Sequence, residues 1–393
     1  MLPLDRPNFR QAKEGDRERV IELEGFGYPS EASYAERERA IFHNPYGDLR
    51  DFVVGEVDGE IVGQAFLFRL VTHYGGRPVK TGGIASVAVA PEARGRGVAG
   101  ALMEHLHSMA ARRGQALTML YAFRQGFYTR LGYAPATSRK RLVIDPRSIP
   151  RSWDAPVRRA RGSDRKKIEK IYAEVAKTMS GVHDRPKALW DLRFAKTSRA
   201  ILVTNDGYVM FELRQEALHA ETTLVVNELL ARTGASRRAL LGALGRMRDQ
   251  VTAIELETAE DDPLELALVD TDARRFGDDD VEHDLGRIVG GPLVRIVDLE
   301  RAFTARGYLV DGALTINVDG ERFGLSVRAG RATVGAPRGP ELTTTRATLG
   351  MLLYGGVGLK QAVALGLADA DPKAVPRMDS VLRVPPVVPF DAF

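Results

Sequence analysis

Apolar positions along residues 1–145 change their spacing several times, and each change predicts a new element. Helical spacing at Val20, Ile21 and Leu23 predicts a helix over 15–24. Two apolar runs, 52–57 and 61–66, flank Asp58-Gly59, which is the composition of a tight hairpin turn. Residues 84–89 read as an apolar strand closed by Pro91. From Gly97 to Arg112, Leu102, Leu106, Met109 and Ala110 share one helical side, and 116–121 is another short apolar run. The order is helix, hairpin, strand, glycine-rich turn, helix, strand, an α/β arrangement.

Prolines and polar residues at 145–150 interrupt this pattern and mark a boundary. Beyond it the order recurs: a helix over 166–178, strands over 200–203, 208–213 and 222–229, a helix over 236–248 and a strand over 252–257. Such recurrence predicts a second copy of the first fold. The acidic residues Asp278, Asp279, Asp280, Glu282 and Asp284, followed by Gly290-Gly291-Pro292, mark a second boundary. The remainder changes character. Segments 313–318 and 323–327 alternate around Asp319-Gly320 as a hairpin, and helices over 347–354 and 359–368 follow, which predicts a small α+β domain. Residues 384–393, Val-Pro-Pro-Val-Val-Pro-Phe-Asp-Ala-Phe, are extended by proline and too apolar for a free tail. The expected domains are 1–149, 150–285 and 286–393.

At 393 residues the chain exceeds one ordinary core, and its 44% hydrophobic and 27% charged content is that of a packed protein. No apolar run approaches the ~18–20 residues that cross a bilayer, and the start has no stretch of signal-peptide length, so no membrane partner and a cytoplasmic location are expected. With no cysteine, disulfides, thiolate metal sites and a cysteinyl acyl-enzyme are excluded. Basic and acidic residues nearly balance, 56 against 52, which does not argue for nucleic acid. The basic run between Arg158 and Lys170 is interleaved with Ile168, as the solvated side of an amphipathic helix would be. His105 and His107 lie about 200° apart around a helix and cannot share a metal, and His183 and Asp184 lack a third ligand, so no metal is expected.

The most informative segment is 86–100, Ser-Val-Ala-Val-Ala-Pro-Glu-Ala-Arg-Gly-Arg-Gly-Val-Ala-Gly, a strand passing through a glycine-rich turn into a helix. The first N–H groups of a helix have no internal partners and carry partial positive charge, so such a turn suits a pyrophosphate. Tight helix starts also use glycine for geometry alone. Gly-Lys-Ser/Thr is absent, and so is the three-glycine dinucleotide pattern. Arg94-x-x-Gly97-x-Ala99 does resemble the CoA-pyrophosphate motif of the GNAT acyltransferases, Arg/Gln-x-x-Gly-x-Gly/Ala. Residues 126–133, Gly-Phe-Tyr-Thr-Arg-Leu-Gly-Tyr, resemble the second GNAT element, an aromatic pair ahead of Leu/Phe-Gly-Tyr. A GNAT domain, a degenerate second copy and a sterol-carrier-like α+β domain together resemble the mycobacterial enhanced-intracellular-survival (Eis-like) acetyltransferases over the whole chain.

That resemblance implies acetyl-CoA as co-substrate and tandem GNAT-type mixed-sheet domains. Backbone groups of Val87, Ala88 and Val89 would hold the pantetheine, with the Val87 N–H polarising the thioester carbonyl. Arg94, Gly95, Arg96, Gly97, Val98, Ala99 and Gly100 would hold the pyrophosphate. Tyr128 matches the general acid that protonates the departing thiolate, and the carboxylate of Phe393 would take the proton of the attacking amine through water. Read as residues alone, Tyr128 also suits aromatic packing and Phe393 a frayed end. Asp391, Glu22 and Glu24 would attract a cationic amine or simply face solvent. The turn 233–238 of the second copy, Thr-Gly-Ala-Ser-Arg-Arg, lacks the motif, so no CoA is expected there. The implied acceptor is a primary amine on a polycationic small molecule such as an aminoglycoside, or on a lysine side chain. Transfer of longer acyl groups and a CoA- or lipid-responsive binding protein are the alternatives. The resemblance further implies a structural role for the last domain and a homo-oligomer, a symmetric hexamer.

Overall fold

The computed structural model describes residues 7–217, 220–269, 274–276, 280–282, 285–385, 387–388, 391 and 393. Asp278, Asp279 and Asp284 of the acidic run, and Pro386 and Pro389 of the tail, lie outside the described residues. The chain forms two compact units, one of residues 1–137, 180–189 and 292–393, the other of 138–179 and 190–291.

In the first unit the sheet follows the order β1 (Asn8–Gln11), β2 (Phe52–Val57), β3 (Glu60–Tyr74), β4 (Arg77–Val89), β5 (Leu117–Leu120), then Leu293–Ile296 and Ala134–Pro135. Only β4 and β5 run parallel; the other pairs are antiparallel. The β2–β3 hairpin turns on Asp58 and Gly59, both at positive φ, as that dipeptide favours. Val182–His183 adds antiparallel to Thr72 and His73 of β3. The helices are α1 (Arg17–Gly27), α2 (Tyr34–Phe42), α3 (Val98–Arg112) and α4 (Gln125–Thr129). A reciprocal Ser33/Glu36 cap starts α2, an element absent from the periodicity reading. Along β2 and β3, Phe52 meets Phe66 edge-on at 4.4 Å and Phe66 stacks on Phe68 at 4.5 Å, and all three form part of the core.

In the second unit, β6 (Ser138–Ile144), β7 (Gly207–Arg214), β8 (Thr223–Ala231) and β9 (Ala253–Ala259) lie in a seven-stranded sheet, with α5 (Arg165–Ala176) and α6 (Gly234–Gly245). The pair β8–β9 is parallel, as β4–β5 is, so the recurring element order does produce a second mixed sheet of the same kind. Ile168 and Ile171 are buried on α5 while Arg165, Lys167 and Lys170 face outward or half-outward, which is the amphipathic helix expected from the basic run.

The last part of the first unit holds a five-stranded sheet of β10 (Gly312–Val318), β11 (Glu321–Arg328), β12 (Arg331–Gly335), β13 (Glu341–Thr344) and β14 (Ala368–Ala370), with α7 (Leu299–Thr304), α8 (Arg346–Tyr354), α9 (Leu359–Ala364) and α10 (Val375–Leu382). The helix expected over 359–368 stops at Ala364, because Gly366 takes a positive φ of 68° and the chain turns into β14. Arg306 is fully buried here. Its guanidinium donates to the carbonyls of Leu353, Leu382 and Arg383 and stacks on Tyr308 at 4.3 Å, so the negative ends of α8 and α10 stand in for a carboxylate.

Candidate active site

The pairing of β3 with β4 slips between Gln64 and Phe66: Phe66 faces Ala85 but Gln64 faces Ala88, leaving Ser86 and Val87 as a bulge opposite Ala65. Ser86 takes φ 52°, a left-handed conformation that costs a non-glycine residue energy and turns the following N–H away from β3. The β4–β5 ladder covers only Thr81–Gly83 against Leu117–Met119, so past Gly83 the two strands part. Ala90 N–H donates to Val62, and strand alternation therefore aims the N–H of Val89 at the opened edge.

The C-terminal end of α1 packs closely on this bulge: a Cβ at Gly27 would come within 2.8 Å of Ala88 Cβ. One helical turn joins Glu24 to Tyr28, and both reach the bulge. The Val87 N–H donates to Tyr28 Oη at 3.1 Å, while Ser86 Oγ and Gln64 Nε2 donate to the Glu24 carboxylate at 3.3 Å each. Burial pushes the Tyr28 phenol up to about 12, aided by the nearby Glu24 carboxylate and Tyr128 phenol. Burial likewise raises the Glu24 carboxyl above its ordinary range.

Past Pro91 the chain turns into α3 through Gly95 and Gly97, at φ 74° and 85°. Gly97 caps α3 without a side-chain bond, and the first helical return is Ala101 N–H to Gly97 O, so the N–H groups of Val98, Ala99 and Gly100 lie in the turn that has no intrahelical acceptors. A Cβ at Gly95, Gly97 or Gly100 would meet no heavy atom within 4 Å, which leaves this turn bare. Arg94 differs from a projecting ligand. Its guanidinium donates to Val89 O and Phe26 O at 3.2 and 3.0 Å and ties the turn to β4 and α1. Arg96 is exposed.

Tyr128 is buried on α4, its ring edge-on to Phe127 and Tyr133 at 4.9 and 5.9 Å, and burial raises its phenol. Tyr133 is itself fixed by Thr118 Oγ1 at 2.8 Å and His107 Nε2 at 2.9 Å. The Arg295 guanidinium faces His107 Nδ1, which makes that nitrogen the acceptor and Nε2–H the donor. Burial, with the Arg295 charge, lowers His107 to about 3, so the imidazole is a neutral strut behind the aromatic pair.

The tail runs back to the point where the strands part. Val387 bridges Ser180 in parallel, and Val388 N–H donates to Ser180 O at 2.9 Å. Arg185 Nε and Nη2 grip the Asp391 carboxylate at 2.7 and 3.0 Å, with side chains only 0% and 3% exposed. The Phe393 ring lies on Gly83, where a Cβ would stand 2.9 Å from it, and against Phe68, Tyr121 and His183. Asp391 is thus a buried partner of Arg185, Glu22 is exposed and paired with Arg19, and of the three carboxylates considered from the sequence Glu24 alone reaches the bulge.

Residues 8–136 match the family model of the acetyltransferase (GNAT) domain, 181–296 match a second acetyltransferase (GNAT) domain model, and 299–390 match the sterol carrier protein domain. The N-acetyltransferase Eis of Mycobacterium tuberculosis (strain ATCC 25177 / H37Ra) is 31% identical over 345 residues, which cover 82% of this chain and 83% of that protein. This chain belongs to the Eis N-acetyltransferase family. An uncharacterized N-acetyltransferase of Streptomyces avermitilis is 29% identical over 329 residues, 76% of this chain and 74% of that one. The fold is shared with a GCN5-related N-acetyltransferase from Kribbella flavida, TM-score 0.79 at 23% identity over 99% of both chains. It is shared as well with Eis1 from Mycobacterium abscessus, TM-score 0.78 at 23% identity over 98% of this chain and 100% of that one.

As an Eis-family member the chain is an acyl-CoA-dependent N-acetyltransferase, and the binding-only alternative falls away. Among the described residues no helix is long and apolar enough to cross a membrane, and no group of three or more His, Asp or Glu suits a metal. Sequence reasoning missed Tyr28 and Arg185. The spacing of Glu24 and Tyr28, one turn apart, was the available signal for the first; Arg185 lies 206 residues from its partner and offered none.

Proposed function

We propose that the first GNAT domain moves an acetyl group from acetyl-CoA directly to a primary amine on a polycationic small molecule of aminoglycoside type, or on a lysine side chain. The observation that carries this is the Ser86–Val87 bulge at the parting of β4 and β5, followed by the bare turn into α3. The opened edge of Val87, Ala88 and Val89 suits the amides of pantetheine as an added strand. The backbone from Arg94 through Gly95, Arg96, Gly97, Val98, Ala99 and Gly100 suits the pyrophosphate, with the Arg94 side chain bracing the turn. Once the Tyr28 phenol yields, the Val87 N–H polarises the thioester carbonyl. Tyr128, kept protonated by burial, gives its proton to the departing thiolate. The Phe393 carboxylate accepts a proton from the acceptor nitrogen through water as the amide forms.

A thiol-release assay with acetyl-CoA against aminoglycosides, polyamines and lysine peptides tests the reading, and turnover on at least one of these amines is expected. Tyr128→Phe should lower kcat by about 100-fold or more with acetyl-CoA affinity unchanged, and removal of Phe393 by about 10-fold or more. Silence across the whole amine panel would sink the assignment, and unchanged rates in both variants would remove those two roles. Light scattering tests the implied hexamer: a species of 43.1 kDa alone refutes it.

A further inference from the structure

Carboxylates withdrawn from water in the first unit are typically held by guanidinium groups: Asp16 by Arg10, Asp51 by Arg69 and Arg113, Asp391 by Arg185. Glu24 is different. Half-buried in α1, it accepts from the neutral donors Ser86 Oγ and Gln64 Nε2, and no ion pair reaches it among the described residues. Arg37, whose charge acts on it from α2, has its guanidinium on the carbonyls of Tyr28, Ser30 and Ala32. Gln64 is fully buried, and its Oε1 has no partner. A carboxylate desolvated without a cation is costly, and such arrangements concentrate where a ligand supplies the missing charge. One of the groups fixing Glu24 is Ser86, the residue before Val87, so its charge sits one residue from the N–H assigned to the thioester carbonyl.

We propose that Glu24 is a catalytic residue that binds the ammonium group of the acceptor and takes its first proton. This rests on the roles given above to Val87, Tyr128 and Phe393. An ammonium nitrogen loses two protons on becoming an amide. The first passes to Glu24 and from there to solvent. The freed lone pair then forms the C–N bond, the C–S pair leaves with sulfur, and the thiolate takes the Tyr128 proton. The second nitrogen proton goes through Phe393 and water back to the Tyr128 phenolate, for a net release of one proton. A terminal carboxylate has a reference pKa of about 3.5 and a glutamate about 4.3, and burial moves Glu24 further up, so it is the better first acceptor of the two.

The test uses the full chain and the amine that the wild type acetylates fastest. Glu24→Gln should bind acetyl-CoA within about twofold of wild type by calorimetry, yet lose about 100-fold in kcat/KM for the amine near pH 7. That loss should shrink about tenfold per pH unit as the amine deprotonates itself. Glu24→Asp should keep the wild-type pH profile at reduced rate, which covers the case of a poorly folded Gln variant, and Glu22→Gln on the same helix should match wild type. A Glu24→Gln profile parallel to wild type, or a defect confined to acetyl-CoA affinity, overturns the proposal while leaving acetyl transfer standing. A wild type that releases no thiol with any amine fells the function itself and this residue's role with it.

Discussion

In both GNAT copies a bulged strand runs beside a parallel neighbour for a few residues and then leads into a helix. The first copy pairs Thr81–Gly83 with Leu117–Met119; the second pairs Thr223–Val226 with Ala253–Leu256. The second copy has its own slip, with Met210 opposite Glu228 and Phe211 opposite Val226, which leaves Asn227 extra. Beyond the bulge the two copies diverge. In the first copy the bulge N–H of Val87 rests on a single phenol, and the turn over 90–97 presents glycines and unblocked amides. In the second, Asn227 Oδ1 accepts from Arg199, which also pairs with Glu212, and the buried Glu228 accepts from Tyr208. Only Arg232 and Thr233 separate β8 from α6; Thr233 Oγ1 accepts the Ser236 N–H, and Arg232 is engaged by Glu174 and Asp206. The shared fold alone therefore does not leave the first helix amides free of a side-chain cap. Turn length and the absence of a side-chain cap decide whether the helix amides remain available.

The sharpest way to break this contrast is to damage both helix starts alike. Gly97→Val forces a β-branched residue to φ 85° at a cost of roughly 1–3 kcal/mol, and acetyl-CoA affinity should fall at least ~10-fold. Gly234→Val, at a position without positive φ, should leave affinity and a stoichiometry of one per chain unchanged in calorimetry. Two equivalent sites per chain would abolish the distinction.

A smaller effect concerns acid. His183 and His107 of the first unit are buried and lowered to about 4 and about 3 by burial, whereas the described residues of the second unit include no histidine. The unfolded chain takes up these protons below about 6.5 and the folded one does not, so their stabilisation is complete above that pH and is lost as pH falls towards 4 and 3. At pH 5 each should cost about 2 kcal/mol, and hydrogen exchange should show the first unit losing protection before the second.

The mildest expected change is a gain. Tyr28→Phe removes one neutral hydrogen bond from the Val87 N–H, worth about 0.5–1.5 kcal/mol, so acetyl-CoA should bind about 2–10-fold tighter while free CoA binds as before. Asn227→Ala, at the second bulge, should alter neither. Equal tightening of both ligands by Tyr28→Phe would separate the bulge from the acyl group.

Local signals were legible wherever local chemistry decides the structure. Asp58-Gly59 marked its hairpin, the glycines before α3 marked the turn, and the 3.6-residue spacing placed α3 and α6 within a few residues of their observed bounds. The bulge was not legible, because nothing in Ser86-Val87-Ala88 announces a serine at positive φ; it shows only in the register that β4 takes against β3. The Arg185–Asp391 clamp was hidden for a related reason, since it joins residues 206 apart with no periodicity between them. The Arg94 side chain belongs to the motif, yet only packing showed that it faces carbonyls of β4 and α1.

The strand Leu293–Ile296 hydrogen-bonds between Leu117–Leu120 and Ala134–Pro135 and fills the gap in the first sheet. A chain emerging from the ribosome must therefore carry two exposed strand edges from about residue 135 until residue 293, roughly 40% of its synthesis, before the piece that seals them arrives. Fragments ending short of residue 293 inherit the same open seam, and aggregation through it is their natural fate.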